Sequence, residues 1–266
     1  MNDDLKFFTD GAAYERAMGR WSQLVAGKFL DWLDVPSGLR WLDIGCGNGA
    51  FSEVLMARCL PAELQGIDPS GAQVAYARSR PSLKGAQFRS GDAQSLPYAS
   101  QTFDAATMAL VISFVPDPAR AVAEMARVVR PGGYVASYMW DIPGGGLPQQ
   151  AISTAAQTLG LTPGFEPPMA HNKVHAFADL QAMWQSAGLR EIETRRIDIE
   201  AVYADFNDFW ESSTLLAAPI ANLVSTFSPL DRERLKGHLR DSLPRDAEGH
   251  VTRSAFVNAV KGRARQ

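Results

Sequence analysis

The stretch Arg40–Ser52, RWLDIGCGNGAFS, decides the fold. A short apolar run passes Asp43, opens into three alternating glycines (Gly45, Gly47, Gly49) and continues into a helical pattern carried by Phe51, Val54 and Leu55. Strand, glycine turn and helix in that order let a backbone approach an anionic or highly polar ligand.

Outward from this turn the chain alternates. Leu39–Ile44 reads as a core strand and Ala50–Leu60 as its helix, stopped by Pro61. Leu64–Ile67 is a second strand ending at Asp68, and Ser70 caps a helix over Ala72–Ser79. Gln87–Arg89 and Phe103–Val111 follow as strands, then a helix over Pro118–Val129. Arg130-Pro131-Gly132-Gly133 reads as a sharp turn into the strand Tyr134–Trp140. Strand and helix in regular alternation indicate an α/β, doubly wound parallel sheet with helices on both faces. Upstream, residues 11–34 carry apolar residues three and four apart, from Trp21 to Leu33, and predict an amphipathic helix.

The pattern changes after Trp140. Residues 141–175 are rich in Gly and Pro and read as a mobile loop with one short helix near Gln150–Thr158. Ala176–Ser186 predicts a helix, Leu189–Tyr203 a strand, and 205–243 helices. His250–Lys261 alternates enough for a final strand, with a helix as the competing reading.

Composition narrows the class. The 266 residues are 46% hydrophobic and 21% charged, an ordinary globular balance with ample length for a core. A net charge of −3 gives no phosphate-backbone footprint, so no nucleic-acid partner is expected. Two cysteines, an acidic N-terminus without a signal-like core, and no apolar run of ~20 residues lead us to expect a cytoplasmic protein away from membranes.

Asp68 follows Gly49 at the end of the next strand, where an acid accepts hydrogen bonds from ribose hydroxyls. An adenosine-type ligand is therefore expected. A dinucleotide is less suited: the third glycine comes early, and Asp43 just upstream of the turn favours a cation over a phosphate. Taken singly, Asp68 and Asp92 read equally well as turn or cap residues.

The segments LDIGCGNG (42–49), GIDPS (66–70), GDAQSLPYASQTFD (91–104) and RVVRPGGYV (127–135) resemble the motifs of class I S-adenosylmethionine-dependent methyltransferases of the small-molecule type. The resemblance covers about residues 11–140. It implies a Rossmann-like seven-stranded sheet with the last strand antiparallel, N-terminal helices, and a helical cover inserted before that last strand. In those terms residues 1–38 lie over the cofactor, 39–204 and 247–266 form the core, and 205–246 cover the acceptor pocket. It further implies that the turn Gly45–Gly49, including Cys46 and Gly47, passes under the cofactor, and that Asp43 orients its ammonium. Asp68 would accept from both ribose hydroxyls. Asp92 and the Ala93 amide would meet adenine between Pro69 and Leu96, and the backbone at Ala109 and Leu110 would take the ammonium. Tyr14 and Arg20 resemble residues that reach the cofactor's carboxylate in some relatives.

The expected activity is methyl transfer to a small, partly apolar acceptor. The alternatives are a protein that binds S-adenosylmethionine or S-adenosylhomocysteine without turnover, and a nicotinamide oxidoreductase of related fold. The segment MALVISF (108–114) lacks the acid-or-amide, Pro-Pro, aromatic run that the family uses on base amines. Candidates for a general base are Tyr138, Asp141, His171 and His175. The two histidines would share a face if helical, but they lack a neighbouring carboxylate and follow Pro167-Pro168, so no metal is expected.

Overall fold

The computed structural model describes residues 18–162, 174–214 and 219–265. Seven strands form one sheet: β1 (Arg40–Ile44), β2 (Glu63–Asp68), β3 (Gln87–Ser90), β4 (Phe103–Ala109), β5 (Val129–Trp140), β6 (Arg190–Tyr203) and β7 (Val251–Arg263). Their spatial order is β3-β2-β1-β4-β5-β7-β6, with β7 antiparallel to both neighbours and the remaining pairings parallel. Trp41, Leu42, Asp43 and Ile44 are all buried, the unbroken run expected of a central strand covered on both faces.

The helices are α1 (Arg20–Leu33), α2 (Ala50–Cys59), α3 (Gly71–Ser79), α4 (Pro118–Val128), α5 (Gln150–Thr158), α6 (Phe177–Ser186), α7 (Phe206–Thr214), α8 (Pro219–Ser225) and α9 (Pro229–Ser242). Strand parity separates them into layers. Tyr138 on one face of β5 meets Phe29 of α1 at 4.6 Å between ring centroids and Phe51 of α2 at 6.1 Å. Val135, on the other face, lies on the side of α6, whose Trp184 indole N–H donates to the Val135 carbonyl at 3.1 Å. Both faces are thus covered, as the alternating pattern requires.

Ser70 caps its helix as the sequence indicates, and the structure adds a second cap. The Ser70 hydroxyl accepts from the Gln73 amide, and the Asp117 carboxylate from the Arg120 amide behind Pro118 at the first turn of α4. The final segment resolves as a strand: β7 must close the sheet between β5 and β6, and its Val251, Ala255, Val257 and Ala259 side chains are buried.

Two expectations change. Arg130–Gly133 is no sharp turn; strand β5 already begins at Val129 and its ladder with β4 slips between Phe103 and Ala105. Gly132 adopts φ +75°, and its amide donates to Ala264 across the edge of β7. Glycine permits that irregularity and Pro131 removes a donor from it. Of the mobile loop, the described part is packed: Ile142, Ile152 and Ala156 lie in the core, and α5 rests against α9. Its Gly and Pro residues make tight turns, such as the Gly146 amide donating to the Asp141 carbonyl at 2.7 Å.

Gly66 in β2 shows how tightly the layers meet. A Cβ there would stand 2.4 Å from the Phe88 ring and 3.0 Å from the Cys46 sulfur. Gly66→Ala should therefore lower unfolding stability by about 1–3 kcal/mol through overpacking; urea denaturation measures this, and an unchanged midpoint would contradict it.

Candidate functional site

Between β1 and β4 the strand order reverses, leaving a crevice beyond the carboxyl ends of the strands. A cleft occupies it. It is lined by the turn after β1 (Gly45–Asn48), the end of β2 (Asp68–Ser70), the segment after β4 (Ala109–Val111, Phe114), and Tyr138 of β5, with Ser22, Phe51 and Gln73 reaching in from α1, α2 and α3.

The turn is locked into place from both ends. The Gly45 and Cys46 amides donate to the Ile67 carbonyl at 2.7 and 3.1 Å. The Gly47 amide donates to Asp68 Oδ2 at 2.9 Å, and the Ser70 amide to Asp68 Oδ1 at 2.8 Å. The three glycines have φ of +71°, +49° and +85°, a region costly for other residues. Only Gly47, however, faces open space. A Cβ on Gly45 would strike Val111 at 2.4 Å, and one on Gly49 would strike Leu83 at 2.6 Å. Two of the glycines therefore make room for the protein's own packing, and one leaves room for a ligand.

Leu110, whose backbone the resemblance assigns to the cofactor's ammonium, stands where β4 ends and lines the cleft. It adopts φ +60°, rare for a residue with a Cβ, and its amide donates to the Tyr138 carbonyl at 2.9 Å. That bend ends β4 and turns Val111 and Phe114 onto the cleft wall.

Asp43 is wholly buried beside the cleft without lining it. Ser52 Oγ donates to its Oδ2 at 2.6 Å, while Oδ1 has no partner among the described residues. Burial raises its carboxyl to about 7; the Ser52 bond opposes the rise and the Asp68 charge adds to it. Asp68 is also pushed up by burial, against the two backbone amides that favour its charged form. The Cys46 thiol is raised by burial and by both carboxylates, which makes it an unreactive lining group.

Other sequence candidates fall outside the cleft lining. Asp92 is exposed, its Oδ1 accepting from the Gln94 amide at 2.8 Å and both oxygens meeting the Gln94 side chain; neither it nor Ala93 lines the cleft. Arg20 donates to the Val202 carbonyl at 3.0 Å, lies 3.9 Å from Asp208 and covers the Tyr203 ring, so it ties α1 to β6 and α7. Trp21 is core, donating to the Tyr203 hydroxyl at 3.1 Å. Tyr14 and His171 lie outside the described residues.

Tyr138 lines the cleft, buried against Phe29 and Phe51. His175 precedes α6 and sits outside a helix. It is buried with Nδ1 2.9 Å from the Trp140 carbonyl, which makes Nδ1 the protonated nitrogen. Asn258 bridges from Asp141 Oδ2 (3.1 Å) to the His175 carbonyl (2.6 Å). Among the described residues, one trio of ligand-type side chains clusters, Asp246, Glu248 and His250. It is a surface turn in which Asp246 accepts from the His250 amide and ring, and it lines no part of the cleft.

Ser22 and Gln73 escaped the sequence reading because each sits on a helix face that looks like ordinary core. Val111 and Phe114 escaped it because only the Leu110 bend aims them.

A crevice at the reversal point of a doubly wound sheet, floored by a glycine turn clipped to an acid, defines a Rossmann-like small-ligand binding fold. Residues 42–137 match the family model described as a methyltransferase domain. Over 112 residues it is 40% identical to the ubiquinone biosynthesis O-methyltransferase of Aromatoleum aromaticum, covering 40% of this chain and 47% of that one. A longer match, 32% over 220 residues, is to an uncharacterized 37.1 kDa transposon protein of Streptomyces fradiae, covering 74% of this chain and 64% of that one. In structure it is similar to Haemonchus contortus phosphoethanolamine N-methyltransferase 2 solved with S-adenosyl-L-methionine, with TM-score 0.61 at 17% identity, covering all of this chain and 61% of that one. The chain spans between 33% and 51% of the length of the first curated relatives it matches.

The buried Asp43 fixes a pH signature for the unliganded protein. Its folded pKa is raised, so stability is fully present near pH 4 and is lost as pH rises toward about 7, where the folded state must accept a buried charge. Each unit of displacement is worth about 1.4 kcal/mol. Asp43→Asn should be more stable than the wild type at pH 8, with the difference shrinking toward pH 5; urea titrations at several pH values read this, and a constant difference would contradict it.

Proposed function

We propose that this chain is an S-adenosylmethionine-dependent methyltransferase acting on a small, partly apolar molecule by in-line displacement. The observation that carries the reading is the clip at the sheet's reversal point: Asp68 held by the Gly47 and Ser70 amides, facing open space above Gly47. Each carboxylate oxygen spends one acceptor position on the backbone and keeps another for a ligand hydroxyl. The unpartnered Asp43 Oδ1 supplies negative charge beside the same cleft, which suits a cationic ligand. When bound, S-adenosylmethionine supplies an electrophilic methyl group on a sulfonium that is already a good leaving group.

The protein's task is then alignment and exclusion of water. The Gly45–Gly49 turn and the backbone at Ala109 and Leu110 hold the donor. Phe51, Phe114 and Tyr138 wall the cleft, and α7–α9 with the packed segment after Trp140 cover the acceptor side. Where an acceptor proton must leave, His175 is one candidate group; its Nδ1 donates to the Trp140 carbonyl, and it lies outside the cleft lining. Asp141 already accepts from the Gly144 amide and from Asn258. Tyr138, at the cleft wall, is a second candidate. No described helix is long and apolar enough to cross a membrane, and the free, buried Cys46 and Cys59 suit the reducing cytoplasm.

Asp68→Ala should weaken S-adenosylhomocysteine binding by at least tenfold, since it removes charge-assisted hydrogen bonds worth about 1.5–3 kcal/mol. Calorimetric titration tests this; unchanged affinity would refute the ribose assignment, and binding of NAD in its place would favour an oxidoreductase. The same titration over pH should show affinity falling as the solution is acidified through about 7, because protonated Asp43 no longer attracts a cation; Asp43→Asn should lose that dependence.

A further inference from the structure

Among the described residues, Arg253 is a charge without a partner. It lies on β7 opposite Ala201 of β6, and its Nε is shielded from solvent with no hydrogen-bond partner among the described residues. No carboxylate pairs with it in that set: Glu200 on the adjacent strand accepts from Ser254 on the other face, and Asp208 is directed to Arg20. Burial pulls its pKa below the ordinary arginine value, and the Tyr203 phenol acts in the opposite direction. An unpaired, half-buried guanidinium is costly, because its desolvation is not offset.

Its position explains the cost. Strand β5 ends at Trp140, paired with Val257, while β7 and β6 continue together as far as Val251 and Tyr203. Arg253 therefore lies four residues, roughly 14 Å at about 3.4 Å per residue, beyond the carboxyl end of β5. That is the side on which ligands of such sheets bind. Side-chain parity through the Tyr138–Ala259 pair puts Arg253 on the same face as Tyr138, which lines the cleft. Around it the face is apolar and aromatic: Tyr203 meets Phe209 at 5.4 Å, and Phe209 meets Phe206 at 6.1 Å.

We propose that Arg253 receives the anionic group of the acceptor, so that the acceptor is an organic anion, a carboxylate or a phosphate, with an apolar body lying along the aromatic wall toward the cleft. A guanidinium presents a planar fork that matches both oxyanions. The inference deepens the methyltransferase reading and rests on it.

The test is calorimetric titration of the full chain, saturated with S-adenosylhomocysteine, with 3-phenylpropionate, phenyl phosphate and the neutral 3-phenylpropanol. At least one anion should bind ten times more tightly than the alcohol, and which one does so separates carboxylate from phosphate acceptors. Arg253→Met should erase that preference while leaving S-adenosylhomocysteine affinity unchanged, and Arg253→Lys should keep part of it. Thermal melting should show Arg253→Met no less stable than the wild type, since it removes an unpaired charge. If the Met variant does not fold, Arg253→Gln replaces it. Anions that bind no better than the alcohol, or a preference that survives the neutral substitution, would overturn the proposal. Failure of S-adenosylhomocysteine itself to bind would instead overturn the reading beneath it.

Discussion

The carboxylate of Asp68 is the point on which the site depends. One side chain at the end of β2 accepts the Gly47 amide from the turn after β1 and the Ser70 amide that leads into α3. It thereby fixes the distance between two strands' carboxyl ends and the entry of two helices. Burial works against its charge, and the two amides work for it. The group is thus held at the mouth of a cleft by the backbone that forms the cleft.

Charge around this clip is arranged economically. Asp43, one strand over, is buried with, among the described residues, a single partner and one unpartnered oxygen, and its charge and that of Asp68 disfavour each other. Two partly frustrated acids beside an apolar cleft form an environment that a cation relieves. The apolar walls, Phe51, Phe114 and Tyr138, add contact area without competing for that charge.

On the acceptor side the logic inverts. The extension of β6 and β7 past the rest of the sheet carries a cation, Arg253, into an aromatic setting with no acid to meet it among the described residues. Arg20 nearby is spent on structure, joining α1 to β6 and α7 over Tyr203. The two arginines occupy neighbouring surfaces, and only their partners distinguish them. Partners come from side chains far apart in the chain, so no local pattern reveals which arginine is free.

The sequence by itself determined the alternating α/β core, the positions of β1, β2, β4 and β6, the cap Ser70, and the pairing of a glycine turn with Asp68. These are set by periodicity, by breakers and by φ requirements that act within a few residues. It also held the motifs within the segment that matches the methyltransferase-domain model. Only the tertiary structure decided what depends on distant neighbours. It showed that Gly45 and Gly49 serve packing against Val111 and Leu83, whereas Gly47 alone opens to the cleft. It joined Arg20 to β6, turned the Arg130–Gly133 turn into an irregular strand, and set His175 outside a helix. Spacing along a chain reports which side chains share a face; which partner each then meets is decided by packing between elements, which spacing does not encode.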